Sequence, residues 1–214
     1  LNILGKHKNN LFQIEALLFG QSGLLNEELI GDDYFLKLHE EYSFLYKKYK
    51  LNPIEAHLWK FMRLRPVNFP TIRISQFAQL ICKSTALFSK ILETESLKTL
   101  ELFFDVESSE YWDNHYRFNK TSAKTSKKLG STTFQNIVIN TIVPYLFFMS
   151  KHNTNTDFVE YALDLLSQLP AEVNTKTKEF AKLGIKTENA LESQAQIYLL
   201  DNLCSKKACL HCNV

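Results

Sequence analysis

The sequence predicts an all-α protein, an irregular multi-helix domain with one long central kinked helix, and three observations carry that prediction. Apolar residues recur at intervals of three and four through most of the chain. Chain breakers are scarce, with six Gly and five Pro in 214 residues, while sixteen Phe and nine Tyr favour long packed elements over a hairpin-rich sheet. Hydrophobic residues at 45% and charged residues at 22% are globular proportions, enough to build a core, and they exclude disorder as a description of the whole chain.

Each element follows from local pattern. Leu38, Tyr42, Leu45 and Tyr49 form one stripe behind the capping candidates Asp32 and Asp33. Asn52, Pro53 and Glu55 have the spacing of an N-cap, first helical residue and capping-box acid, and predict a helix with Leu58, Trp59 and Met62 on its apolar side. Pro66 and Pro70 then push Arg65 and Phe69 into extended backbone, and helix resumes at Thr71 with Ile74, Phe77, Ala78 and Ile81 on one face. Further helices are expected over 86–92 and 96–104.

The pattern weakens between Asp105 and Gly130. An aromatic cluster (Tyr111, Trp112, Tyr116, Phe118) precedes a stretch rich in Lys, Ser and Thr that reads as an exposed, mobile loop. Ser131 opens the long buried helix, expected to reach about Met149 and to kink at Pro144, which lacks a backbone donor. Phe158, Ala162, Leu165, Leu166 and Leu169 mark the next helix. A shorter one over 174–183 stops at Gly184, and the last starts at Asn189 with Glu192 in the capping-box position. No internal repeat stands out, so residues 1–214 are read as one helical domain, with the loop 119–130 as the place for any sub-division.

A net charge of +2 is too small for bulk electrostatics to imply nucleic-acid binding, so such a role must rest on a local patch. No signal peptide opens the chain, and the longest apolar run, 137–149, is interrupted and shorter than the roughly 20 residues that span a bilayer. These features point to a cytoplasmic protein without a membrane partner. The chain does not begin with Met, which leads us to expect a fragment of a longer protein.

Two constellations could carry function. Arg63, Arg65, Asn68 and Arg73 surround the expected start of a helix, where unpaired N–H groups and the helix dipole favour an anion and guanidinium forks suit phosphate or carboxylate. They are candidate anion-binding residues, with phosphate or nucleic acid as partner and Lys120, Lys124, Lys127 and Lys128 as a further basic run. The alternative is an internal brace in which the arginines pair with Glu172, Glu192 or Asp113. The tail offers Cys204, Cys209 and Cys212, which with Cys82 form a candidate ligand set for zinc or an iron–sulfur cluster. Only one C-x2-C pair exists, so free thiols or a packing role for Cys209 and Cys212 stand against the metal reading. Asp113 and His115 would share a side if extended, as a carboxylate orienting an imidazole, but no nucleophile can be assigned beside them. Glycine-rich phosphate loops, H-E-x-x-H, G-x-S-x-G and Glu-x-Lys are all missing.

Six stretches carry a family resemblance: Glu15 to Gly23, Arg63 to Ile74, Tyr111-Trp112 with His115-Tyr116, Leu169 to Asn174, Ser193-Gln194, and Cys209 to Cys212. Through them the chain resembles the C-terminal half of an uncharacterised bacterial family, domain of unknown function 2851. The resemblance names no activity. It implies an additional N-terminal segment in longer members, which would hold any catalytic centre, of nuclease-like type. The expected function is therefore a helical binding or scaffolding domain for a phosphate-bearing partner. The alternative is a non-catalytic enzyme part that carries a cysteine metal site.

Overall fold

The computed structural model describes residues 2–25, 31–84, 86–94, 96–154 and 156–212. Helix dominates, and one two-stranded ladder is the extent of sheet among the described residues. The chain divides into two compact units, Leu1–Ser89 with Leu102–Leu129, and Lys90–Glu101 with Gly130–Val214.

The first unit is organised around a helix that the apolar periodicity did not reveal. After a short α1 (Asn2–His7), α2 (Leu11–Gln21) starts at Asn10, whose side chain accepts from the Gln13 amide at 3.1 Å. Ile14, Glu15, Ala16, Leu17, Phe19 and Gly20 are all buried, so α2 has no polar face to give it a stripe. It packs against both α3 (Asp33–Tyr49) and α4 (Pro70–Lys83). At Gly20 an added Cβ would lie 2.1 Å from the Tyr42 ring, so the close approach of α2 and α3 requires glycine. Gly23 combines φ of +76° with a Cβ position 2.3 Å from the Ile54 carbonyl oxygen, and ends the helix for the same reason.

Asp32 caps α3 as expected, accepting from Phe35 at 3.0 Å, and Leu38, Tyr42 and Leu45 are its buried stripe. The helix expected from Asn52 does not form. Only a 3-10 turn at Ala56–Leu58 appears, because the end of α2 recruits this segment: Ile54 donates to Gln21 O at 2.9 Å, and Trp59 Nε1 donates to Ser22 O at 2.8 Å. Tertiary bonds override the capping signal. Arg65 and Phe69 are extended, with ψ of 140° and 145°, as the following prolines dictate.

Helices α5 (Leu87–Glu93) and α6 (Leu97–Phe103) follow, then a 3-10 segment at Glu110–Asn114. Strand β1 (His115–Arg117) pairs antiparallel with β2 (Lys120–Thr121) around Asn119, whose φ is +61°. The stretch read as a mobile loop is tied down at its end. Ser108 N donates to Lys127 O and Leu129 N to Val106 O, at 3.2 and 2.9 Å, and Lys127 itself is only 2% exposed.

In the second unit, helix runs unbroken from 131 to 153 as α7 (Ser131–Ile137), a π segment (Val138–Ile142) and α8 (Val143–Asn153). The Val143 amide bonds to Val138 O, five residues back, and this wider spacing immediately precedes Pro144, which has no amide to donate. Helix α9 (Asp157–Gln168) lies along α8 and buries Ala162, Leu165 and Leu166. Asn174 and Thr177 form the capping box of α10 (Thr175–Lys182), and Gly184 at φ +78° follows its end. Asn189 caps α11 (Ala190–Leu199), accepting from Glu192 N at 3.0 Å. A π segment, Leu200–Cys204, and a 3-10 turn, Cys209–His211, complete the described chain. No described helix is long and apolar enough to cross a membrane.

Candidate functional site

The four predicted anion-binding residues separate into two pairs. Arg63 and Arg65 are exposed and make no ion pair among the described residues. Arg63 holds φ at +63°, a left-handed conformation unusual for a branched or long side chain. Arg73 and Asn68 bind each other: Nη2 of Arg73 donates to Asn68 Oδ1 at 2.5 Å, and Nη1 donates to Gln76 Oε1 at 2.8 Å. Burial pulls the Arg73 pKa down from its ordinary value. This pair fastens the turn before α4 to the first coil of the helix. Of the proposed bracing acids, Asp113 pairs with Lys124 at 3.4 Å, Glu172 accepts from the Gln194 side chain, and Glu192 accepts from Glu188 N at 2.7 Å.

The arginine segment meets the β-hairpin in a cleft of about 330 Å³ lined by Pro66, Phe69, Tyr116, Arg117, Lys120, Thr121 and Ser122. Thr71 Oγ1 donates to Tyr116 O at 2.6 Å and so fixes β1 against the start of α4. Arg117 stands over two rings, 4.6 Å from the Phe61 centroid and 5.0 Å from that of Phe69, which orients its guanidinium while leaving the residue exposed. Sequence reading missed Arg117 because it sits among aromatics rather than among other cations.

The four lysines of the basic run have different fates. Lys120 is exposed in the cleft; Lys124 pairs with Asp113, and Lys128 pairs with Asp105 at 2.8 Å. Lys127 is a buried pin. Its Nζ donates to Asp113 O at 2.6 Å and Thr125 O at 2.9 Å and lies 4.2 Å from the Tyr116 ring centroid, so hydrogen bonds and a ring face replace its water. It is withdrawn from any surface role.

Asp113 and His115 do not cooperate. Asp113 belongs to the 3-10 segment and faces Lys124, whereas His115 opens β1. The acid facing His115 is Asp32, with Nε2 4.0 Å from Oδ2. Tyr111 stacks between Tyr34 and His115, both centroids 4.1 Å away, and its hydroxyl donates to Asp32 at 2.6 Å. Beneath the stack lies Glu15, 1% exposed, accepting from Ser75 at 2.6 Å, Ser109 at 2.8 Å and Tyr34 at 2.5 Å. Burial raises the Glu15 pKa, and burial together with the Glu15 charge drives that of Tyr34 well above the ordinary phenol value. Asp32 had signalled itself only as a cap, and Glu15 only as the start of a stretch that carries the family resemblance.

Cys82 lies on α4, half-buried against the cluster of Ile14, Ala78 and Ile81, and burial pushes its thiol pKa up. Cys204 ends a π segment, Cys209 begins the 3-10 turn and Cys212 follows it; Cys204 and Cys209 are exposed. Among the described residues, no three His, Cys, Asp or Glu side chains come together as a metal-holding group.

No curated protein and no solved structure matches the chain. The model of a family described as a protein of unknown function (DUF2851) matches residues 1–175, most of the chain. The segment it covers holds the arginine turn, the hairpin cleft and the Glu15 network, and on that match the chain belongs to the DUF2851 family.

Proposed function

We propose that this chain is a helical binding domain for a phosphate-bearing partner, with nucleic acid as the class. The observation that supports it most is the convergence of the arginine segment and the hairpin on one cleft: Arg117 and Lys120 line its wall, and Arg63 and Arg65, just before Pro66, stand exposed without ion pairs among the described residues. Two cations in the cleft wall, with two more in the segment that leads into it at Pro66, give phosphates a multivalent contact, and each neutralised phosphate releases a counterion. The hydroxyls of Thr121 and Ser122 add neutral donors in the same cleft.

The test is fluorescence polarisation of a labelled single-stranded oligonucleotide over a salt series. Binding that weakens steeply with salt is expected, with Arg65→Ala lowering affinity and reducing the log–log salt slope by roughly 0.7. Absence of binding at low salt, or binding indifferent to salt and to Arg65→Ala, would refute the proposal.

A further inference from the structure

A second cavity in the first unit, of about 580 Å³, has the opposite electrostatic character. Asp32, Asp33, Tyr34, Tyr111, His115 and Asn119 line most of it, and among the described residues no Lys or Arg contributes. His115 is the informative residue. It is 8% exposed, and its Nδ1 lies 2.9 Å from the Tyr111 carbonyl oxygen. A carbonyl can only accept, so Nδ1 carries the hydrogen, and in the neutral ring Nε2 presents a lone pair. Nε2 makes no hydrogen bond among the described residues.

The nearest acid oxygen, Asp32 Oδ2, is 4.0 Å from Nε2, too far for a direct hydrogen bond. That gap admits one donor atom about 2.8 Å from each. Asp32 cannot close it freely, because Oδ1 accepts from Phe35 N and Oδ2 from the Tyr111 hydroxyl. The His115 ring is held in turn by its stack on Tyr111. Two acceptors facing one point call for a donor with at least two hydrogens on one atom. Two carboxylates at the start of α3 outweigh the half-unit positive charge of the helix dipole, roughly 0.5 of an elementary charge, and select a cation.

We propose that this cavity is a binding site for a small organic primary ammonium ion, held between His115 Nε2 and Asp32 Oδ2. Thr121 lines both cavities, but the proposal does not rest on the phosphate cleft and would stand if that reading failed.

The probes are n-butylammonium chloride and n-butyltrimethylammonium chloride, equal in charge but different in N–H content. They are titrated into the full chain at fixed pH while the His115 ring Cε1–H resonance is followed by NMR. A saturable shift with the first and not the second is expected. Asp32→Asn, which preserves the cap of α3, should weaken it at least about tenfold. Asp33→Asn, at an exposed position beside the cavity, should weaken it by less and serves if Asp32→Asn lowers the melting temperature. A missing shift, equal shifts from both probes, or undiminished affinity in both variants would overturn the proposal.

Discussion

The two units of this chain bury different chemistry. Every buried acid, histidine or lysine among the described residues, Glu15, His115 and Lys127, lies in the first unit, whereas the second buries Ser150, Thr177, Ser193 and Gln196 as its polar groups. Charge divides the same way. The first unit has 16 Lys and Arg against 12 Asp and Glu, a net +4; the second has 9 against 11, a net −2, together giving the chain's +2. Burying an acid or a base costs free energy unless its bonds are met, and in the first unit Glu15 and Lys127 have theirs met by hydroxyls and carbonyls. The second unit is a conventional helical packing with caps where the sequence places them. Both proposed binding sites lie in the first unit.

Glycine substitutions should separate the units most sharply. Gly20→Ala must displace the Tyr42 ring, and Gly23→Ala faces both a left-handed backbone and the Ile54 carbonyl; each should cost roughly 3 kcal/mol in chemical denaturation. Gly130→Ala, with open space at its Cβ and ordinary φ, should cost less than about 1 kcal/mol. Equal effects would mean that the α2–α3 contact is looser than described.

Next in size, Lys127→Met should cost about 2 kcal/mol, because the carbonyls of Asp113 and Thr125 lose their shared donor inside the fold. Lys120→Met, at an exposed position, should be near neutral to stability. A neutral Lys127→Met would show that the hairpin end is not pinned.

The Glu15 network predicts a pH dependence confined to the first unit. Its folded-state pKa is raised above the ordinary carboxylate value of 4.5, with burial as the leading cause. The folded protein therefore holds a proton that the unfolded chain releases. The stabilisation is fully present below the unfolded value and is lost as pH rises through the folded one. Denaturation midpoints of the wild type should fall across that window, and those of Glu15→Gln should be flatter. A parallel pair of profiles would remove Glu15 as the titrating group. Smallest of all, Arg63→Ala and Arg65→Ala should change stability by no more than about 0.5 kcal/mol, checked by thermal melts.

The sequence conveyed the second unit well because its signals are local. Asn174, Asn189 and Gly184 act where they stand, and Phe158 to Leu169 show the amphipathic period directly. In the first unit the decisive contacts are distant in sequence. Helix α2 is apolar on nearly every side and offers no period; the Asn52 start signal loses to bonds from Gln21 and Ser22; and Asp32 meets His115 across more than eighty residues. The arginine turn was visible because Pro66 and Pro70 fix its backbone locally. Arg117, which shares its cleft, was hidden among aromatic neighbours. The cysteine spacing was equally visible, yet the described residues form no metal-holding group with it.

The most direct test of the account is photo-crosslinking of the full chain to an oligonucleotide carrying 5-iodouracil, with adducts located by mass spectrometry. The account predicts adducts on the first unit, at peptides spanning 61–69 and 116–122 around Phe69 and Tyr116. Adducts confined to residues 130–214 would contradict it.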